Sequence, residues 1–93
     1  MTPKPIDFSK VEALRRHMLM THVHMAQVLG VSRMTYHNWL RGKTMSKERH
    51  EHVKATIRKL IGIMNEHGWP SDEVTQLSSD DRHARLLALI GGH

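Results

Sequence analysis

Thr21-His22-Val23-His24-Met25-Ala26-Gln27-Val28-Leu29-Gly30-Val31-Ser32-Arg33-Met34-Thr35-Tyr36-His37-Asn38-Trp39-Leu40-Arg41-Gly42-Lys43 is the stretch whose reading decides the fold. Thr21 and Ser32 are residues whose hydroxyls cap helix starts, and Gly30 suits the left-handed turn that stops a helix. The spacing predicts one helix over 22–29, with Met25, Ala26 and Leu29 facing inward, and a second from Arg33 to Leu40 that closes at Gly42. Two short helices around a three-residue turn have the spacing of a helix-turn-helix. Ala26 is small where the helices must cross closely, Gly30 relieves the turn, and Val31 fills the angle between them. Tyr36 and Trp39 fall on the core side of the second helix, which leaves Arg33, Met34, His37 and Asn38 on the other. Arg33 and Asn38 are side chains able to make the paired hydrogen bonds that distinguish guanine and adenine edges.

Working outward, Ser9 followed three residues later by Glu12 is a capping-box signature, and Phe8, Val11, Leu14 and Met18 recur at helical spacing, predicting a helix over about 10–20. Ser46 starts a longer helix over about 47–66, with Val53, Ile57, Leu60, Ile61 and Met64 on one stripe. Beyond Pro70, residues 72–77 have room for a turn or two. A last helix then begins near Ser78 or Ser79 with Asp80 and Asp81, carries Leu86, Leu87 and Ile90, and stops at Gly91-Gly92. Residues 6–69 contain no proline to break this series, and no strand-like alternation competes with it. The expectation is an all-α bundle of about five helices in one domain over 1–93. Its helix-turn-helix core spans about 9–66 and a helical extension about 70–90, with linker-like places only at Met1 to Pro5 and about 67–71.

A chain of 93 residues leaves no room for a second core. It has no cysteine, so packing alone must hold it, as suits a reducing compartment. No apolar run approaches the roughly 18 residues of a membrane span, and the start lacks an apolar signal segment. A soluble, unexported protein is therefore expected. The net charge of +5 favours a polyanionic partner, and its distribution is more informative than its total. Residues 33–59 hold Arg33, Arg41, Lys43, Lys47, Arg49, Lys54, Arg58 and Lys59 against Glu48 and Glu51, whereas residues 60–93 hold Arg82 and Arg85 against five carboxylates. The basic middle is thus the part expected to meet nucleic acid.

Nine histidines raise the question of a metal. However, His22 and His24, like His50 and His52, are spaced i, i+2, which points them about 200° apart on a helix rather than at one ion. Protonated near pH 6, they would add positive charge to the basic face. No Ser/His/Asp set, paired carboxylates or phosphate-cradling glycine loop is visible, so no enzyme, metal or cofactor is expected.

Met25-Ala26, Leu29-Gly30-Val31-Ser32-Arg33 and Trp39-x-Arg41-Gly42-Lys43, all in register, resemble the Cro and phage-repressor type of helix-turn-helix, also called Xre-like. The resemblance covers about residues 9–60. It implies that the second helix of the motif lies in the DNA major groove, with Ser32, Arg33, Met34 and Asn38 approaching bases. It also implies that Thr21, His22, Arg41 and Lys43 grip phosphates. His37, on the same helix face, joins the reading set, and Lys47 joins the phosphate set as part of the adjoining basic run. The chain departs from the family pattern at His22, where glutamine is common, and at Met34, where a polar reader is frequent. Methionine offers only apolar contact, such as to a thymine methyl.

The function expected is sequence-specific binding of double-stranded DNA by a small, repressor-like transcriptional regulator, cytoplasmic and nucleoid-associated. A module this small gains useful affinity by pairing on a two-fold site, so a homodimer is expected. Leu60, Met64, Leu86, Leu87 and Ile90 in the C-terminal half are its candidate interface. The alternative is a helical adaptor or antitoxin-like module that binds another protein through the same scaffold or through its C-terminal helices.

Overall fold

Six helices follow one another in the computed structural model, which describes residues 6–91: α1 (Phe8–His17), α2 (His22–Leu29), α3 (Arg33–Leu40), α4 (Lys47–His67), α5 (Asp72–Thr75) and α6 (Ser79–Gly91). The architecture is all-α, with no strand among the described residues. The turn or two expected after Pro70 is α5, a single turn. Met1 to Pro5, and Gly92 of the expected stop, lie outside the described residues.

Each helix start is set by a side chain that satisfies an orphan backbone N–H. Thr21 accepts from the His24 N–H, Ser32 from Thr35, Ser46 from Arg49, Ser71 from Val74, and Ser78 from Asp81. At α1 the expectation is corrected. The cap is Asp7, whose carboxylate accepts from both the backbone N–H and the hydroxyl of Ser9. Helix α1 therefore starts two residues earlier than the capping-box reading has it, and Glu12 is released for another task.

Helix α1 also ends three residues early, at His17. Leu19 adopts φ 60°, with the Leu19 N–H donating to Arg16 O and the Met20 N–H to Arg15 O. This is the hydrogen-bond pattern in which a left-handed residue closes a helix, usually a glycine. The sharp stop lets Met18 and Met20, at 0% and 6% exposure, both enter the core. Gly30 (φ 75°) and Gly42 (φ 92°) close α2 and α3 as the sequence predicts, and only glycine takes these angles without strain.

One buried cluster draws on every helix: Val11 from α1, Met25 and Leu29 from α2, Tyr36 and Trp39 from α3, Val53, Leu60 and Ile63 from α4, Val74 from α5 and Leu86 from α6. Trp69 joins it, and its indole N–H donates 3.0 Å to Met18 O, so the residue closes the core. Arg82 locks the corner between α5 and α6 by donating to Val74 O and Leu77 O, both at 2.9 Å.

The face that α4 buries differs from the expected stripe. Val53, Thr56, Leu60 and Ile63 point inward, while Ile57 and Met64 are half-buried and Ile61 is 40% exposed. The helix carries two adjoining apolar stripes, and the inner one includes Thr56, whose hydroxyl is satisfied by His52 O at 2.9 Å. Two of the expected interface residues are also relocated. Leu60 and Leu86 are fully buried inside the chain and are spent on the intramolecular core. Of that set, Leu87 is exposed, and Met64 and Ile90 are half-buried.

Candidate nucleic-acid interface

Helix α3 presents its outer face because its inner face is fixed. Tyr36 is completely buried and Trp39 nearly so, with Phe8 of α1 against both rings at centroid distances of 6.3 and 5.9 Å. Aromatic residues at i and i+3 therefore act as one anchor, and burying them drives the helix onto the core. Outward from that anchor, Arg33, Met34, His37, Asn38 and Arg41 line a shallow concavity of about 540 Å³. Met34 stands 74% exposed, the most exposed large apolar side chain among the described residues.

A polar network holds α3 in place. Glu12 of α1 receives hydrogen bonds from the Tyr36 hydroxyl at 2.6 Å and from Arg15 Nε and Nη2 at 3.0 and 2.9 Å, and it pairs with His22 Nε2 at 3.3 Å. Arg15 also donates to Met20 O at 2.8 Å. One carboxylate thus ties together α1, the start of α2, and α3. Burial opposes its ionisation, but the bonds from Arg15, Tyr36 and His22 outweigh that and lower its pKa from 4.5 to about 2. Burial, and then the bond to Glu12, push the Tyr36 hydroxyl in the opposite direction, well above the usual tyrosine range.

The residues expected to grip phosphates fall in three places. Thr21 is exposed at the start of α2, with its hydroxyl engaged in capping. His22 follows it, and its ring lies 5.0 Å from that of His37, so the start of α2 adjoins the concavity on α3. Arg41 is part of the concavity, and Lys43 lies on the turn beyond it, where its own N–H donates to Asn38 O. Lys47 is exposed in the first turn of α4. Ser32, expected near bases, is exposed, but its hydroxyl accepts from the Thr35 N–H and donates to Thr35 Oγ1 at 3.0 Å. The structure therefore brings Arg33, Met34, His37, Asn38 and Arg41 together, with His22 at their edge, Ser32 and Lys43 just beyond the two ends of α3, and Lys47 on α4.

Two arrangements escape a reading of the sequence. Glu12 has a local signal, an ion-pair spacing of three residues to Arg15, but its long-range partners Tyr36 and His22 have none. His24, 8% exposed, stacks on His83 of α6 with ring centroids 4.0 Å apart and planes 4° from parallel. Its Nε2 lies 3.4 Å from Asp80, and His83 Nε2 is 2.9 Å from Gln27 Oε1. His22 and His24 thus turn to different neighbours, as the i, i+2 spacing predicts. Among the described residues no group of three potential ligands could hold a metal ion, and no helix is long and apolar enough to cross a membrane. No protein-family model, curated protein or solved structure matches the chain.

Proposed function

We propose that this protein binds double-stranded DNA in a sequence-specific manner through α2 and α3 and acts as a small, repressor-like transcriptional regulator in the cytoplasm. The observation that carries the reading is the outer face of α3, where two arginines, an asparagine, a histidine and an exposed methionine surround one concavity on a helix anchored from behind. Arginine and asparagine supply hydrogen bonds to base edges, and Met34 supplies apolar contact to a thymine methyl. Lys43, Lys47 and Arg49 are exposed beyond the end of α3, where the sugar-phosphate backbone would pass. The sequence resemblance to the Cro and phage-repressor type supports the same use of the helix.

Homodimerisation belongs to this proposal, because one module of this size covers only a small DNA interface. Leu87 and the half-buried Met64 and Ile90 are the members of the expected interface that remain available for it.

Titration of duplex DNA at two salt concentrations tests the proposal. Binding should weaken steeply as salt rises, because each phosphate contact releases counterions. Absence of binding at both concentrations would instead favour the adaptor or antitoxin-like reading.

A further inference from the structure

An apolar trough of about 490 Å³ runs between α1 and α4. Its walls are Ile6, Val11 and Leu14 on one side and Ile57, Ile61 and Met64 on the other. Lys10, Lys54 and Arg58 stand on its rim, and no hydrogen bond or ion pair engages their side chains among the described residues. The one rim carboxylate, Asp7, is committed to capping α1 through Ser9, and those bonds hold its pKa below the usual carboxylate value. The trough therefore pairs an apolar floor with a rim that stays net positive: the ionised Asp7 lies near Lys10, and Lys54 and Arg58 stand on the α4 side.

That combination selects the occupant. The net positive rim favours an occupant that carries negative charge. The trough follows the chain from Ile6, just before α1, to Leu14, roughly 12 Å when about 9 Å of helix from Phe8 to Leu14 is added to the short extended lead-in. An α-helix of that length, with a diameter of about 10 Å, would occupy roughly 900 Å³ and leave about half its bulk outside. A single alkyl chain fits within it. The volume also falls within the range of about 300–1,000 Å³ usual for small-molecule sites, which are mostly apolar with a few convergent polar groups.

We infer that the groove between α1 and α4 is a binding site for a monomeric, single-tailed carboxylate of medium chain length. Its tail lies along Val11, Leu14, Ile57 and Ile61, and its carboxylate meets Lys54 and Arg58. This site is separate from the face proposed for DNA, and its test contains no nucleic acid, so either can fail without the other.

The test is a titration of the full chain with decanoate at fixed ionic strength, followed through methyl NMR signals, with 1-decanol and decyltrimethylammonium as probes of the same tail with no charge or the opposite charge. Decanoate should saturate at one per chain and shift Val11, Leu14, Ile57, Ile61 and Met64, leaving Val23 and Met34 unmoved. Decanol should bind at least threefold more weakly, and the cationic probe weaker still. Arg58→Glu should weaken decanoate at least threefold while leaving decanol unchanged. Ile61→Glu, at a position exposed enough to leave the fold intact by circular dichroism, should abolish binding of both. The inference is overturned if decanoate fails to saturate, if the three probes bind equally, if the shifts spread to Val23 and Met34, or if neither variant alters binding. Association with vesicles of anionic phospholipid without binding of monomeric decanoate would also overturn it.

Discussion

The Tyr36 hydroxyl donates a 2.6 Å hydrogen bond to Oε1 of Glu12, across 24 residues of sequence. Through it the exposed helix α3 is referenced to α1. Tyr36→Phe keeps the ring in the core and removes only this bond, so it should cost about 1–2 kcal/mol of stability in urea unfolding. A cost near zero would mean that Phe8 and the apolar packing alone set the position of α3.

The same carboxylate sets a dependence on acid. In the folded chain Glu12 has its pKa lowered to about 2 from an ordinary 4.5. Between those values the unfolded chain binds the extra proton, so stability rises with pH. The contribution is fully present above about 4.5 and is lost as pH falls toward 2. Glu12→Gln should therefore be less stable at neutral pH, and its unfolding should depend less on pH between 4.5 and 2 than that of the parent chain.

Much of this architecture is legible in the sequence. The caps at Thr21, Ser32 and Ser46 and the glycine stops at Gly30 and Gly42 are local chemistry, and the helices they bound lie where the sequence places them. The limits of α1 are not legible in the same way. Leucine is a good helix former, and only the burial of Met18 and Met20 on either side forces Leu19 into a left-handed turn. The inner face of α4 was obscured because Thr56 takes a core position while Ile61 does not, so a stripe drawn through the apolar residues alone is rotated toward the trough. The outward face of α3 was legible because Tyr36 and Trp39 fix its opposite side. The stacking of His24 on His83 was not, because nothing local links residues 59 positions apart.

Leu19 offers a direct check of the end of α1. A non-glycine residue in this left-handed conformation costs roughly 1 kcal/mol, and Leu19 is already 37% exposed, so little packing is lost on truncation. Leu19→Gly should leave stability unchanged or raise it by up to about 1 kcal/mol, whereas Met18→Gly, at a fully buried position beside it, should lower it by several kcal/mol. Thermal unfolding of the two variants distinguishes these outcomes. Similar losses in both would contradict the turn described for Leu19.

The stacked pair His24 and His83 predicts a second pH dependence, nearer neutrality. Burial, and then the neighbouring His24, lower the pKa of His83 from its ordinary 6.5, with Asp80 opposing them. The unfolded chain then takes up the proton first as pH falls, so stability is complete above about 6.5 and declines as pH drops through that value toward the folded one. His83→Phe keeps an aromatic ring beside His24 and removes the titrating group. Its melting temperature should fall less between pH 7.5 and 5.5 than that of the parent chain, and an identical fall would remove His83 from the account.

The central claim is that the outer face of α3 reads DNA bases while its flank holds phosphates. The most direct measurement compares the affinity of the parent chain, Asn38→Ala and Lys43→Ala for a duplex selected by the protein from a random pool and for a random duplex, at several salt concentrations. Asn38→Ala should lose about 1–3 kcal/mol on the selected duplex and far less on the random one, because only the correct base rewards a positioned side chain. Lys43→Ala should weaken both alike and reduce the slope of log affinity against log salt by about one. Equal losses for Asn38→Ala on every duplex, or failure to enrich any sequence from the pool, would contradict readout by α3.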